Sequence, residues 1–113
     1  MDWLQHEYLV PVIIGNNQAA YKAAKRIYKI TGIRSHIFAD SFTLWQRIFY
    51  NCHKVSPMSS GLLKMSLISF AESIEEYLFP VIIFCDDESQ DFVKIYSETL
   101  ESAYIVVSCD DLY

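Results

Sequence analysis

A three-layer α/β/α domain on a mostly parallel sheet of four to five strands is the fold this sequence predicts. Three observations predict it. Strand-sized apolar runs recur along the chain, and they are apolar on both faces, as buried parallel strands are. Amphipathic segments of helical length lie between them. Each run closes on polar residues, where a strand hands over to a helix cap.

The first run, Leu9 to Ile14, closes on Gly15-Asn16-Asn17. It has a near-repeat at Leu78 to Cys85, which closes on Asp86-Asp87. Each run carries a proline near its start, and proline is tolerated at a strand's first residue, where no ladder donor is needed. Two more runs fit the pattern, Ile33 to Ala39 before Asp40 and Ala103 to Ser108 before Asp110. A short extra strand has room at Cys52 to Ser56.

Helices fill the gaps. Asn17 caps one that runs to about Ile30 and stops at Gly32. Ala20, Ala24, Ile27 and Tyr28 form its apolar face, and Lys22, Lys25, Arg26 and Lys29 its solvated one. Ser41 is positioned to cap Phe42 to Tyr50, and Ser59 or Ser60 to start a helix running through Leu63, Leu67, Phe70, Ile74 and Leu78. Glu88 to Glu101 reads as one long helix with Phe92, Ile95, Tyr96 and Leu100 on one face. The series β-α-β-α-(β)-α-β-α-β, with right-handed crossovers, gives strand order 3-2-1-4-5.

Such sheets bind ligands where the order reverses, outside the carboxyl ends of the strands. The candidate substrate-binding residues are therefore Gly15, Asn16, Asn17, Asp86 and Asp87. Asp40, at the end of the second strand, is a weaker candidate for a cofactor ribose. A dinucleotide loop would need three spaced glycines, and here Gly15 stands alone. No Gly-Lys-Ser/Thr phosphate loop occurs. A phosphoacceptor domain would need an acidic pair where Asn16-Asn17 stands, and asparagine is a poor ligand for a hard cation. Asn17 and Asp86-Asp87 equally suit plain helix capping.

The 113 residues make one domain, with 52% hydrophobic and 20% charged residues, which excludes disorder as the main state. Mean hydropathy is +0.16, yet no apolar run nears the ~20 residues of a membrane helix. Met1 to Glu7 has no basic region followed by a long apolar stretch, so no secretory signal is expected there. The formal charge is −5, the wrong sign for nucleic-acid binding. Residues 1–56 carry seven basic and three acidic groups, and residues 57–113 two and eleven. Cys52, Cys85 and Cys109 make an odd set without Cys-x-x-Cys spacing, which points to free thiols in a reducing, cytoplasmic compartment. Adjacent Cys52-His53 makes no nucleophile–base pair. His6, His36 and His53 are scattered and suggest no metal site. Trp3, Trp45, Phe49 and Tyr50 do not all fit inside, and an exposed apolar patch would favour either an interface severed from a missing domain or a homodimer.

The stretch Pro11 to Asp40, PVIIGNNQAAYKAAKRIYKITGIRSHIFAD, resembles the opening of ATP-grasp carboxylate–amine ligases similar to D-aspartate ligase. The Pro-Val-Ile-Ile-Gly strand, the Ala-rich basic helix and the turn Thr31-Gly32-Ile33-Arg34-Ser35 carry the resemblance. Val81 to Asp87 and Ser102 to Val107 extend it. It implies a Rossmann-like pre-ATP-grasp domain that is not catalytic alone. ATP and Mg²⁺ would be held by C-terminal ATP-grasp domains of a longer parent, and no cofactor by this chain. In such ligases ATP converts a carboxylate to an acylphosphate, and an amine displaces phosphate from it to form an amide. This domain would supply one wall of the site for a small-molecule carboxylate or amine, through Gly15, Asn16, Asn17, Asp86 and Asp87. Relatives more often carry small or acidic residues where Asn16-Asn17 stands. The alternative is a stand-alone nucleotide- or metabolite-binding module.

Overall fold

The computed structural model describes residues 2–15 and 17–113. A short 3-10 turn, Asp2–Gln5, leads into β1 (Leu9–Ile14), α1 (Gln18–Thr31), β2 (His36–Ala39), α2 (Leu44–Phe49) and β3 (Asn51–Lys54). Then follow α3 (Ser60–Ser73), β4 (Phe79–Phe84), α4 (Asp87–Ile95), α5 (Ser97–Glu101), β5 (Ile105–Ser108) and a second 3-10 turn, Cys109–Leu112. All five strands pair in parallel, in the order β3-β2-β1-β4-β5. The fold class and strand order are those the sequence predicts. Right-handed crossovers put α1 and α2 on one face, and α3, α4 and α5 on the other.

Two cores result. Val12, Ile14, Phe38 and Ile82 pack against Leu63 and Leu67 of α3, Phe92 of α4 and Leu100 of α5. On the opposite face, Ile13, Ile37, Val81 and Ile83 pack against Ala20, Ala23, Ala24 and Ile27 of α1, with Leu112. Ile13, Ile82 and Ile83 have no exposed surface, so each contributes about 1.5–3 kcal/mol through burial. The buried alanines let α1 lie close to the sheet.

Pro11 and Pro80 lie inside their strands, opposite Val81 and Val10, rather than at the first residue. Register explains why this is tolerated. In a parallel ladder, successive residues turn their N–H and C=O to opposite neighbours. The Phe79 N–H donates to Tyr8 O (2.9 Å) and the Gly15 N–H to Phe38 O (2.9 Å). Odd-numbered residues of β1 therefore face β2, and even-numbered residues of β4 face β5. Pairing of β1 with β2 starts at Val12, and pairing of β4 with β5 at Val81. Each missing donor falls one residue before its neighbour strand begins.

Several boundaries differ from expectation. Asn17 and Gly32 delimit α1 as expected, with Gly32 at φ +75° and its N–H on Tyr28 O. Thr43, not Ser41, caps α2. The Gln46 side chain reaches back to the Thr43 N–H (2.8 Å), completing a capping box, whereas the residue three beyond Ser41 is Leu44, which cannot accept a hydrogen bond. Ser59 caps α3, which ends at Ser73 rather than Leu78, and a turn closed by Leu78 N–H to Glu75 O follows. The segment from Glu88 to Glu101 is not one helix but breaks at Tyr96 (φ −107°, ψ 24°). The Tyr96 ring packs on Phe92, with centroids 5.2 Å apart, and Ile95 is left exposed. β2 starts at His36 and β5 at Ile105, later than expected. Tyr104, just before β5, is buried and donates its hydroxyl to Leu67 O (2.6 Å). The basic face of α1 is not only solvated. The Arg26 Nε–H donates to Leu112 O (3.1 Å), and Lys22 and Arg26 lie over the Tyr113 ring.

The close approach of α1 generates a test. Ala24→Leu should overpack that face and destabilise the fold by about 1–3 kcal/mol, whereas Ala19→Leu on the exposed side of the same helix should shift stability by less than ~0.5 kcal/mol. Urea denaturation of the two variants checks this, and equal midpoints would contradict it.

Candidate functional site

An open cleft of about 530 Å³ lies at the carboxyl ends of the strands, where the order turns back between β1 and β4. Its size is that of a small-molecule site. Ile14, Ala39, Met58, Leu63 and Phe92 give it an apolar lining, and Asn17, Asp40, Asp86, Glu88 and Asp91 a polar one.

Two loops build its centre. Gly15 leaves β1 at φ +106°, a conformation L side chains rarely adopt. A Cβ there would meet Asp86 Oδ2 at 3.7 Å, an ordinary contact, so backbone conformation rather than space calls for glycine. The Asn17 amide has two partners. Its Oδ1 accepts the Ala20 N–H (2.8 Å) and caps α1, while its Nδ2 donates to Asp86 Oδ2. Asp86 caps α4 in turn. Its Oδ1 accepts from the Ser89 N–H (2.7 Å) and the Ser89 hydroxyl (2.7 Å). One amide–carboxylate bond thus ties the caps of two helices across the switch point. Burial works against the Asp86 charge. The hydrogen bonds from the Ser89 hydroxyl, the Ser89 N–H and Asn17 outweigh it and hold the carboxyl below its ordinary range.

The structure brings Gly15, Asn17, Asp40 and Asp86 to one cleft. Asp87 is not among its lining residues. It is the exposed first residue of α4, where its charge suits the helix dipole. The expectation for Asn16 lies outside the described residues. Sequence reasoning missed Met58, Ser59, Ser60, Glu88 and Asp91. The signal for the first three was available, because the loop after β3 must open at the same sheet edge as those after β1 and β4. No Lys, Arg or His lines the cleft among the described residues.

A second juxtaposition was also unforeseen. Register places His36 of β2 and His53 of β3 on one face, with His36 Nδ1 2.9 Å from His53 Nε2. His53 stacks on Phe38 (4.4 Å, 7°), and Phe70 closes on both imidazoles. Burial first, then the neighbouring His53 charge, push His36 down to about 4. Burial lowers His53 as well. Among the described residues no third His, Cys, Asp or Glu joins them in a metal-binding group.

The histidine pair generates a pH prediction. A folded pKa below the ordinary 6.5 means that the unfolded chain binds the proton more readily. Stability is then full above about pH 6.5 and is lost as pH falls from ~6.5 towards ~4. The Asp86 contribution is lost only below its ordinary 3.8, so the two windows separate. Urea midpoints should fall between pH 7 and pH 5, and the fall should shrink in His36→Phe. An equal slope in the variant would contradict this assignment.

No family model, curated protein or solved structure significantly matches this chain.

Proposed function

We propose that this chain is the substrate-side domain of an ATP-dependent carboxylate–amine ligase, and that its cleft holds the amine partner. One observation carries the reading. The loop after β1 and the end of β4, chosen independently by topology and by the ATP-grasp resemblance, meet in a single cleft through Asn17 and Asp86.

The lining favours an amine over a carboxylate or a phosphate. Asp40, Asp86, Glu88 and Asp91 face the cleft without a basic residue among its described lining. An ammonium group gains from that field, whereas a nucleotide phosphate is repelled by it. Apolar Leu63 and Phe92 suit the carbon skeleton of a small substrate. Among the described residues this cleft offers no cation to an ATP phosphate and no group of three metal ligands, so on this reading phosphoryl transfer belongs to groups outside this chain. This domain's part is to bind and orient one reactant. Asp86 is suited to that part because Ser89 and Asn17 already fix its carboxylate, so little ordering remains to be done on binding.

Amide resonances followed by NMR during titration test the reading. A small amino compound, such as an amino-acid amide, should shift Gly15, Asp40 and Asp86 in the millimolar range, and Asp86→Ser should weaken it at least ~5-fold. ATP with Mg²⁺ should bind no tighter than about 1 mM. Micromolar ATP binding in this cleft would overturn the reading in favour of a stand-alone nucleotide-binding module. In a parent chain that carries ATP-grasp domains, sustained ADP formation should require both an acid and an amine.

A further inference from the structure

The outward face of α2 is left largely open by the fold of this chain. Leu44, Trp45, Ile48 and Phe49 are 73, 68, 52 and 54% exposed, and α2 has no buried residue. The helix is anchored instead by its flanks, Phe42 before it and Tyr50 after it, both of which pack against the α1-side core. At 3.6 residues per turn the four exposed side chains cover an arc of about 140°, and Gln46 and Arg47 occupy the rest. They form two ridges one turn long, Leu44 with Ile48 and Trp45 with Phe49. The Trp45 and Phe49 rings stack with centroids 6.2 Å apart at 17°. A helix facing only water would carry polar residues here.

We propose that this stripe packs on the same stripe of a second copy of the chain, about a twofold axis. Area, charge and shape select a copy as the occupant. The four residues expose on the order of 500 Å² per chain, so two copies burying it approach the ~1,200 Å² at the lower end of stable interfaces. Tyr28 and Ile30, exposed on α1 of the same sheet face, are available as rim. The stripe bears no charge, so identical faces meet without like-charge repulsion. An antiparallel pair of such helices about a twofold sets the Trp45–Phe49 ridge of one copy against the same ridge of the other, and Leu44–Ile48 likewise, a self-complementary contact of the kind a twofold requires. The neighbouring edge strand does not make the contact. β3 is four residues long and ends in Lys54, and both features discourage edge-to-edge pairing. The proposal is independent of what the cleft binds.

Sedimentation equilibrium between ~1 and ~200 µM tests it. The chain should reach twice its 13.1 kDa mass within that range. Trp45→Glu and, separately, Ile48→Ser should weaken dimerisation at least ~10-fold while leaving the circular dichroism spectrum unchanged, because neither side chain supports the monomer core. A mass of 13.1 kDa throughout, or a dimer that survives both substitutions, would overturn the proposal.

Discussion

The hydrogen bond from the Asn17 amide to the Asp86 carboxylate is the contact on which the cleft depends. Each partner already has a local duty. Asn17 satisfies the Ala20 N–H at the start of α1, and Asp86 the Ser89 N–H at the start of α4. Because each uses one polar atom for its cap, the other is left to reach across. Two helix N-termini on opposite faces of the sheet are thereby held at a fixed separation. Gly15, in its positive-φ conformation, turns the chain so that Asn17 can make the reach.

The sheet makes that arrangement rigid. β1 and β4 are central and buried on both faces, so their carboxyl ends cannot shift without disturbing both cores. The prolines fit because register places each missing donor beyond the adjoining ladder. The small residues of α1 bring that helix close, and the Cys109–Leu112 turn, held by Arg26, covers its flank. Acidic residues of the second half of the chain then supply most of the cleft's charge, with Asp86, Glu88 and Asp91 against Asp40 from the first half. The charge asymmetry along the sequence is thus a local field at one site as well as a feature of the surface.

Much of this was legible in the residues. Apolar runs at β1 and β4, the caps Asn17 and Gly32, and a helix start at Ser59 or Ser60 follow from local chemistry, and the strand order follows from handedness. The place of the cleft followed from topology, since sheets of this kind open at the carboxyl ends of the strands where the order reverses. What was not legible depends on a choice among neighbouring residues at a helix end or on contacts between residues far apart in sequence. Thr43 outcompetes Ser41 because Gln46 sits at the matching spacing. The break at Tyr96 comes where its ring settles on Phe92, and helical periodicity continues through it. His36 and His53 are 17 positions apart and meet only because β2 and β3 pair in one register. Asp87 repeats the chemistry of Asp86 in sequence, yet it begins a helix and stands outside the cleft.

One amide–carboxylate bond joins the two caps that frame the cleft. A double-mutant cycle between Asn17→Ser and Asp86→Ser tests it most directly. Serine keeps each cap but is too short to span the gap, so the cycle isolates the cross-contact. The expected coupling energy is about 1–2 kcal/mol in urea unfolding at pH 7, the low end for a hydrogen bond to a charged group because this one is exposed to solvent. Additive single effects, with coupling within ~0.3 kcal/mol of zero, would mean that the loops are positioned independently and would contradict it.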